Sequence, residues 1–508
     1  MRLVDFLDKG ASIDPDTPCL TTDGVSQSYA ETVALSHRLA AALQAAGVEP
    51  GEKVAILSAN DPLAFTCVFG ISRAGAVWCP VNPRNEAAEN RELLDLFDCT
   101  ALFFQSSFAG LVDDIRGDLP AMTTLICLDA DLGWARSWAE FVNSAVPGEA
   151  STAPVEDLAA VVGTGGTTGR PKGVMLTGTN VETMTALTLM CYPFEGRPVY
   201  LALAPLTHAA GVLCFPILCR GGEVVIMRKP DVEEFLTLVE RDSVTHTFLP
   251  PTLIYMLLET PGLDDRDLSS LQCFWYGAAP MSVSRLEEAL SRIGPVMAQL
   301  FGQSEAPMMI SMLPPKEHFR RDGSVATERL ASAGRAAPLV TLAIMDDDGG
   351  HLPRGERGEI VVRSSLVMAG YYKNPEATAE AGRHGWHHTG DIGYVDDDGY
   401  LFIVDRAKDM IITGGFNVYS TEVEQALLAH PDVADAAVVG RPDDKWGERV
   451  VAVVRARGDR AIEVDEVKAF VKSRIGSVKT PKDIHVWADL PRSKVGKVLK
   501  TEVKARLD

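Results

Sequence analysis

The stretch Val161-Val162-Gly163-Thr164-Gly165-Gly166-Thr167-Thr168-Gly169-Arg170-Pro171-Lys172-Gly173-Val174 restricts this chain more than any other. Apolar residues on both sides predict short strands, so a loop of glycine, threonine and one lysine must join two sheet elements. Glycine lets backbone N–H groups turn toward a ligand with no side chain in the way. Threonine adds hydroxyl donors, and Lys172 adds a fixed positive charge. Consecutive N–H groups of this kind form a concavity for anions, and the combination suits a polyphosphate. The loop is not of the Walker type, which needs Gly-Lys followed by Ser or Thr. Here Pro171 precedes Lys172 and Gly173 follows it. The continuation through Thr177 reads as a second strand rather than a helix start. A flexible Gly/Thr linker is the plain alternative, but a linker has no need of Pro-Lys-Gly or of two apolar flanks.

The rest of the chain can support a large enzyme. At 508 residues, 46% hydrophobic and 23% charged, it is long enough for two or more domains and an ample core. A net charge of −21 argues against a general nucleic-acid binder. The charge is uneven: from Arg441 to Asp508 there are 17 Lys and Arg against 11 Asp and Glu. A basic final segment on an acidic protein could help hold a phosphate-bearing ligand, or it could be a solvated surface. Nine cysteines occur without a Cys-x-x-Cys pair, mostly among apolar neighbours, which suits small core residues in a reducing compartment. Met1-Arg2-Leu3-Val4-Asp5-Phe6 has no secretory apolar run, and Arg506-Leu507-Asp508 is not a peroxisomal address. No stretch reaches transmembrane length free of charge. The expectation is a cytoplasmic protein with no membrane insertion.

Periodicity predicts an α/β fold. Leu35, Leu39 and Leu43 place an amphipathic helix over 29–46, stopped by Gly47. Lys53 to Leu57, Val77 to Val81 and Ala101 to Phe104 read as strands, with helices over Pro62 to Ala76 and Arg91 to Phe97 between them. This alternation predicts layered architecture with largely parallel sheets. Asn180 to Met190 reads as a helix, and Leu201 to His208 as an apolar strand with His208 at its end, facing a cleft. Near the C-terminus, Ala436 to Val439 and Val450 to Val454 read as strands and Val464 to Ile475 as a helix, forming a small α/β unit.

Further motifs lie in order along the chain. Phe274-Trp275-Tyr276-Gly277-Ala278-Ala279-Pro280 puts small residues after aromatics, which suits a flat ring lying against backbone. Leu300-Phe301-Gly302-Gln303-Ser304-Glu305-Ala306-Pro307 offers a hydroxyl and a carboxylate side by side. In Trp386-His387-His388-Thr389-Gly390-Asp391, the Asp391 carboxylate could accept both hydroxyls of a ribose diol. The adjacent histidines would point opposite ways on a strand, which argues against a metal pair. Tyr400 to Arg406 reads as a strand, followed by Ala407-Lys408-Asp409 and by Thr413-Gly414-Gly415-Phe416-Asn417-Val418-Tyr419-Ser420. The chain closes on Pro491-Arg492-Ser493-Lys494-Val495-Gly496-Lys497-Val498-Leu499-Lys500.

Taken together these motifs resemble the acyl-adenylate-forming superfamily of acyl-CoA synthetases, luciferases and peptide-synthetase adenylation domains, over roughly residues 20–505. The usual loop reads Ser/Thr-Ser-Gly-Thr-Thr-Gly-x-Pro-Lys-Gly; Gly165 stands where Ser is usual, Ser304 where Thr is, and Ser420 where Pro is common. The resemblance implies a large N-terminal domain of layered sheets over 1–406 and a small mobile C-terminal lid over 407–508, with a hinge near Lys408. It assigns the nucleotide to Thr164, Gly165, Gly166, Thr167, Thr168, Gly169, Lys172, Gly277, Ala278, Ala279, Pro280, Phe301, Gly302, Ser304, Asp391 and Arg406. Mg²⁺ would sit on Glu305 with Thr168, and Lys497, Glu305 and Lys172 would carry the catalysis. The acid would meet His208, Gly211, Tyr276, Gly302, Pro307 and Met308, and CoA would meet Gly414, Gly415 and Trp446. The implied activity is ATP-dependent acyl-CoA ligation through an acyl-AMP, with ATP, Mg²⁺ and CoA. The pocket residues are apolar or aromatic around one histidine, which favours a medium-chain, alicyclic or aromatic monocarboxylic acid. A ligase loading a carrier protein, a luciferase, and a catalytically silent nucleotide-binding regulator stay open as alternatives, as does a homodimer.

Overall fold

A computed structural model describes residues 1–145, 158–164, 171–207, 209–406, 409–413, 416–443, 445–458, 460–493 and 498–507. Two large sheets form the bulk of it. The first is nine-stranded and includes, in spatial order, Ala306–Leu313, Met297–Gln303, Cys273–Tyr276, His246–Leu249, Val199–Ala202 and Glu223–Ile226. The second is eight-stranded and includes Gly370–Tyr371, Lys172–Thr177, Leu158–Thr164, Val77–Val81, Lys53–Leu57 and Cys99–Phe104. Both are parallel through their centres, as the strand–helix alternation predicts, and antiparallel at the edges that carry the site.

The layering follows from period-two burial. Val54 and Ile56 face one buried cluster while Ala55 and Leu57 face another. Tyr200 and Ala202 face that first cluster while Leu201 and Leu203 face a third. The shared cluster also holds Leu39 and Leu43 of the helix Tyr29–Ala45 and Phe65 and Phe69 of the helix Pro62–Arg73, so helices fill the space between the two sheets. The outer face of the first sheet is covered by the helices Val232–Arg241, Pro251–Glu259 and Val283–Arg292. All nine cysteines are free thiols, and burial pushes those of Cys67, Cys214 and Cys273 well up. Among the described residues no helix is long and apolar enough to cross a membrane.

Two expectations need correction. A third sheet, Thr341–Met345, Gly358–Arg363, His387–Val395 and Leu401–Arg406, is antiparallel throughout. Its last pair is joined by the five residues Asp396 to Tyr400, too few for the crossover a parallel pair needs, and its first pair by 346–357, where the chain turns at Asp346-Asp347-Asp348-Gly349-Gly350. The run that begins at Leu201 is not a strand as far as Thr207, the last described residue before His208: pairing covers Val199–Ala202 and stops short of Pro205, which has no N–H to offer a ladder.

The smaller C-terminal unit pairs Phe416–Val418, Ile411–Thr413, Gly447–Ala456 and Val433–Asp443, with Asp483–Val486 added to Gly447–Ala456. The helices Ser420–Leu428 and Val464–Lys479 cover one face and Lys500–Leu507 the other.

Candidate active site

The three sheets of the large part each bring an edge to one place. Lys172 opens the strand Lys172–Thr177 and pairs in register with Thr164, so the two strands on either side of the glycine–threonine stretch run antiparallel. Tyr371 lies on the neighbouring edge strand, paired with Val174. The Lys172 ammonium stands 4.9 Å from the centre of the Tyr371 ring, a cation–π contact. On its other side the Tyr371 hydroxyl donates to Glu305 Oε1 at 2.8 Å. Burial, then the charge and hydrogen bond of Glu305, raise the Tyr371 phenol, so it stays a donor.

Glu305 reaches this phenol because of a tight hairpin. Met297–Gln303 and Ala306–Leu313 pair antiparallel with Gln303 opposite Ala306, which leaves Ser304 and Glu305 alone at the tip. A register shift sits at Gly302, where an added Cβ would meet the Met308 backbone nitrogen at 2.3 Å. Met308 takes φ +62°, a strained left-handed conformation for a side chain of its size. The tip is fixed from outside by the Met368 N–H, which donates to the Glu305 carbonyl at 2.7 Å. Pro307 is buried beside it.

The next strand of that sheet, Cys273–Tyr276, runs into Gly277-Ala278-Ala279-Pro280. An added Cβ at Gly277 would meet the Leu300 carbonyl at 2.4 Å, so the segment lies flat on its neighbour. Ala278 takes φ +65°, and strain of this kind is concentrated at functional sites. Tyr276 points away into the outer cluster, its hydroxyl 3.0 Å from His318 Nε2.

The antiparallel third sheet brings the remaining groups. Gln303 Nε2 donates to the Thr389 carbonyl at 3.2 Å, which ties the Glu305 hairpin to the strand His387–Val395. His387 and His388 do face opposite ways: His387 Nε2 lies 3.3 Å from Gln303 Oε1 and His388 Nδ1 2.7 Å from Glu359 Oε2. Burial lowers the His387 imidazole, so it is neutral near pH 7. Asp391, almost fully buried, pairs with Arg406 Nε at 2.6 Å across matched strand positions, while the Arg406 side chain is 46% exposed. The hairpin that carries Gln303 and Glu305 is therefore tied on one side to Tyr371 and Lys172 and on the other to Thr389, two residues before the Asp391 that pairs with Arg406.

A family model for AMP-binding enzymes matches residues 7–372, and one for the AMP-binding enzyme C-terminal domain matches residues 422–497. The chain belongs to the AMP-binding enzyme family. It is 37% identical over 486 residues to a medium/long-chain-fatty-acid–CoA ligase of Mycobacterium tuberculosis, covering 92% of this chain and 83% of that one. It is 34% identical to an indoleacetate–CoA ligase of Aromatoleum aromaticum, over 99% of this chain and 98% of the relative. Among solved structures, the amide bond synthetase McbA from Marinactinospora thermotolerans superposes with a TM-score of 0.91 at 32% identity, covering 100% of both chains.

In this AMP-binding enzyme the other expected residues fall in three groups. Gly165, Gly166, Thr167, Thr168, Gly169, His208, Lys408, Gly414, Gly415 and Lys497 lie outside the described residues. Gly211 is described: an added Cβ would meet the Leu206 carbonyl at 1.9 Å, so the turn admits no side chain. Trp446 is 43% exposed on the C-terminal unit, with the Lys445 ammonium 4.8 Å from its ring centre. Sequence reasoning missed Tyr371 and Gln303. Tyr371 sits in Gly370-Tyr371-Tyr372-Lys373, which carries no chemical signature beyond aromaticity.

Proposed function

We propose that this chain is an ATP-dependent acyl-CoA ligase that converts a carboxylic acid to an acyl-AMP with release of pyrophosphate, then to an acyl-CoA with release of AMP. The observation that supports this most is the Lys172–Tyr371–Glu305 contact, one cation and one carboxylate held on a single phenol where the glycine–threonine loop rejoins the sheet. The two CoA-ligase relatives, one acting on fatty acids and one on an indole acid, favour a medium-chain, alicyclic or aromatic acid as substrate and CoA as acceptor.

In the first step a carboxylate oxygen bonds to the α-phosphorus as the bond to pyrophosphate breaks. Two anions must meet, so alignment and charge neutralisation carry the rate. Lys172 and the loop of 164–169 hold the β- and γ-phosphates. Gly277-Ala278-Ala279-Pro280 with Phe301, Gly302 and Ser304 bound the adenine side, and Asp391 with Arg406 holds the ribose. Glu305 fits a Mg²⁺ that arrives with the nucleotide, because that ion takes one or two carboxylates and phosphate oxygens. Among the described residues no group of three or more ligating side chains offers an all-protein cage. When bound, Mg²⁺ neutralises charge on the leaving pyrophosphate. Lys497 reaches the substrate carboxylate and α-phosphate. In the second step a thiol sulfur bonds to the acyl carbon, its proton is lost and AMP leaves. The lid of 407–508 turns about Lys408 between the steps, bringing residues 414–415 and Trp446 toward the thiol.

The test is pyrophosphate release across a panel of acids, with CoA, a phosphopantetheinylated carrier protein or a primary amine as acceptor. The amine arm answers the similarity to an amide bond synthetase. Pyrophosphate release with CoA consumption is the expected result; an inert enzyme with every acid sinks the reading. Lys497→Ala is expected to abolish adenylation while thioester formation from supplied acyl-AMP survives. Equal loss of both half-reactions would refute its role.

A further inference from the structure

A buried polar network lies outside the site just described. Asp405, next to Arg406 at the end of the third sheet, is buried, and its Oδ2 accepts from both the backbone N–H and the hydroxyl of Ser420, the latter at 2.6 Å. Ser420 opens the helix Ser420–Leu428 of the C-terminal unit. Its hydroxyl accepts in turn from the Lys500 ammonium, which also pairs with Glu424 Oε1 at 2.9 Å. Glu424 Oε1 further accepts the Val438 N–H at 2.8 Å, so the carboxylate is fixed to the small sheet. Burial opposes the charge on Lys500, but Glu424 and Asp405 outweigh it and raise the ammonium, which stays charged.

The network has two features that a packing role does not need. A buried ion pair adds little net stability over apolar residues of the same size; its best-attested use is to fix one arrangement. It also crosses between the third sheet and the C-terminal unit, and it does so through Ser420. The proline common at that position in the superfamily would bring neither an N–H nor a hydroxyl to Asp405.

Lys500 opens the helix Lys500–Leu507 three residues after Lys497. Three residues span at most about 10 Å, so anchoring Lys500 confines the root of residue 497. The other side of that segment is anchored as well. Arg492 and Val498 form a backbone bridge, Arg492 pairs with Asp435, and its Nη1 donates to Thr252 Oγ1 of the large part at 3.3 Å.

We propose that Lys500 is a positioning residue for adenylation, tying the start of the helix that follows Lys497 in sequence to the Asp391–Arg406 strand end through Ser420 and Asp405. This rests on the reading of Lys497 as the adenylating lysine. Lys500→Met strands the Glu424 carboxylate and lowers stability, so the deciding variant is Lys500→Met combined with Glu424→Gln, which removes both charges together. Pre-steady-state pyrophosphate release measures the first half-reaction, and CoA thioester formation from supplied acyl-AMP measures the second.

The double variant is expected to melt near the wild-type temperature and yet to adenylate on the order of tenfold to a hundredfold more slowly, in kcat rather than in the KM for ATP. Its second half-reaction should stay within about twofold of wild type, and Lys500→Arg should recover most of the lost rate. Wild-type adenylation by the double variant, equal loss in both half-reactions, or no rescue by arginine overturns the proposal. A wild-type chain inert with every acid fails the ligase reading instead, and does so before any variant is compared.

Discussion

The residue on which the nucleotide site turns is Tyr371. Its hydroxyl donates to Glu305 at 2.8 Å and its ring faces the Lys172 ammonium at 4.9 Å, so one side chain orients both charges. Tyr371→Phe keeps the ring and deletes the hydroxyl. A hydrogen bond to a charged group contributes about 1.5–3 kcal/mol, so Glu305 should engage Mg²⁺–ATP on the order of tenfold to a hundredfold less well. A rate titration against Mg²⁺ at fixed ATP reads this as a raised half-saturating concentration, with little change in the KM for the acid. Glu305→Gln goes further, because it removes the charge itself. Loss of one preorganised contact of this kind costs about 10²–10³ in rate. If both variants titrate like the wild type, the pair does not serve the metal–nucleotide complex.

At the scale of elements, the hairpin Met297–Gln303 and Ala306–Leu313 positions Glu305 through one irregularity, the register shift at Gly302. A methyl group there would press on the Met308 backbone, which cannot swing aside as a flexible side chain could. Gly302→Ala is therefore expected to cost about 1–3 kcal/mol of stability and to displace the tip, lowering adenylation even where the fold survives. Denaturant unfolding with the pyrophosphate assay checks both effects. The same hairpin marks the limit of what the residues announce. Gly302, Ser304 and Glu305 are legible because a motif keeps them adjacent in sequence. Tyr371 is not, since it meets Glu305 only when Gly370–Tyr371 pairs with Lys172–Thr177 in one particular register, some 200 positions away. Strand–helix alternation likewise announces the parallel centres of the large sheets but is silent on the third sheet, whose last pair closes on the short acidic turn Asp396-Asp397-Asp398-Gly399. Ser420 looks like a departure from pattern until Asp405 and Lys500 are seen beside it.

For the whole molecule, acid stability is set in part by two histidines remote from the site. His246 is buried against Phe194 and Trp275 with Nε2 at 2.9 Å from the Pro193 carbonyl, and burial lowers its imidazole to about 4. His318 is buried against Tyr276 and is likewise lowered to about 4, chiefly by burial. Each is neutral in the folded chain and returns to about 6.5 on unfolding. Unfolding therefore takes up protons as the pH falls below 6.5. The stability each contributes is complete above that value and is lost progressively down to about pH 4. At pH 5 the loss amounts to about 2 kcal/mol per histidine. Carboxylates change over the same range, and protonation of a chain with net charge −21 relieves its own repulsion, so the total pH profile mixes several groups. The comparison of variants isolates the histidines. Unfolding free energy measured in denaturant at pH 7.5 and pH 5.0 should differ less in His246→Gln and His318→Gln than in the wild type, by about 2 kcal/mol each, and the two effects should add because the sites share no partner. A double variant whose acid limb matches the wild type would mean that both imidazoles already carry protons in the folded chain, which the apolar packing around them opposes.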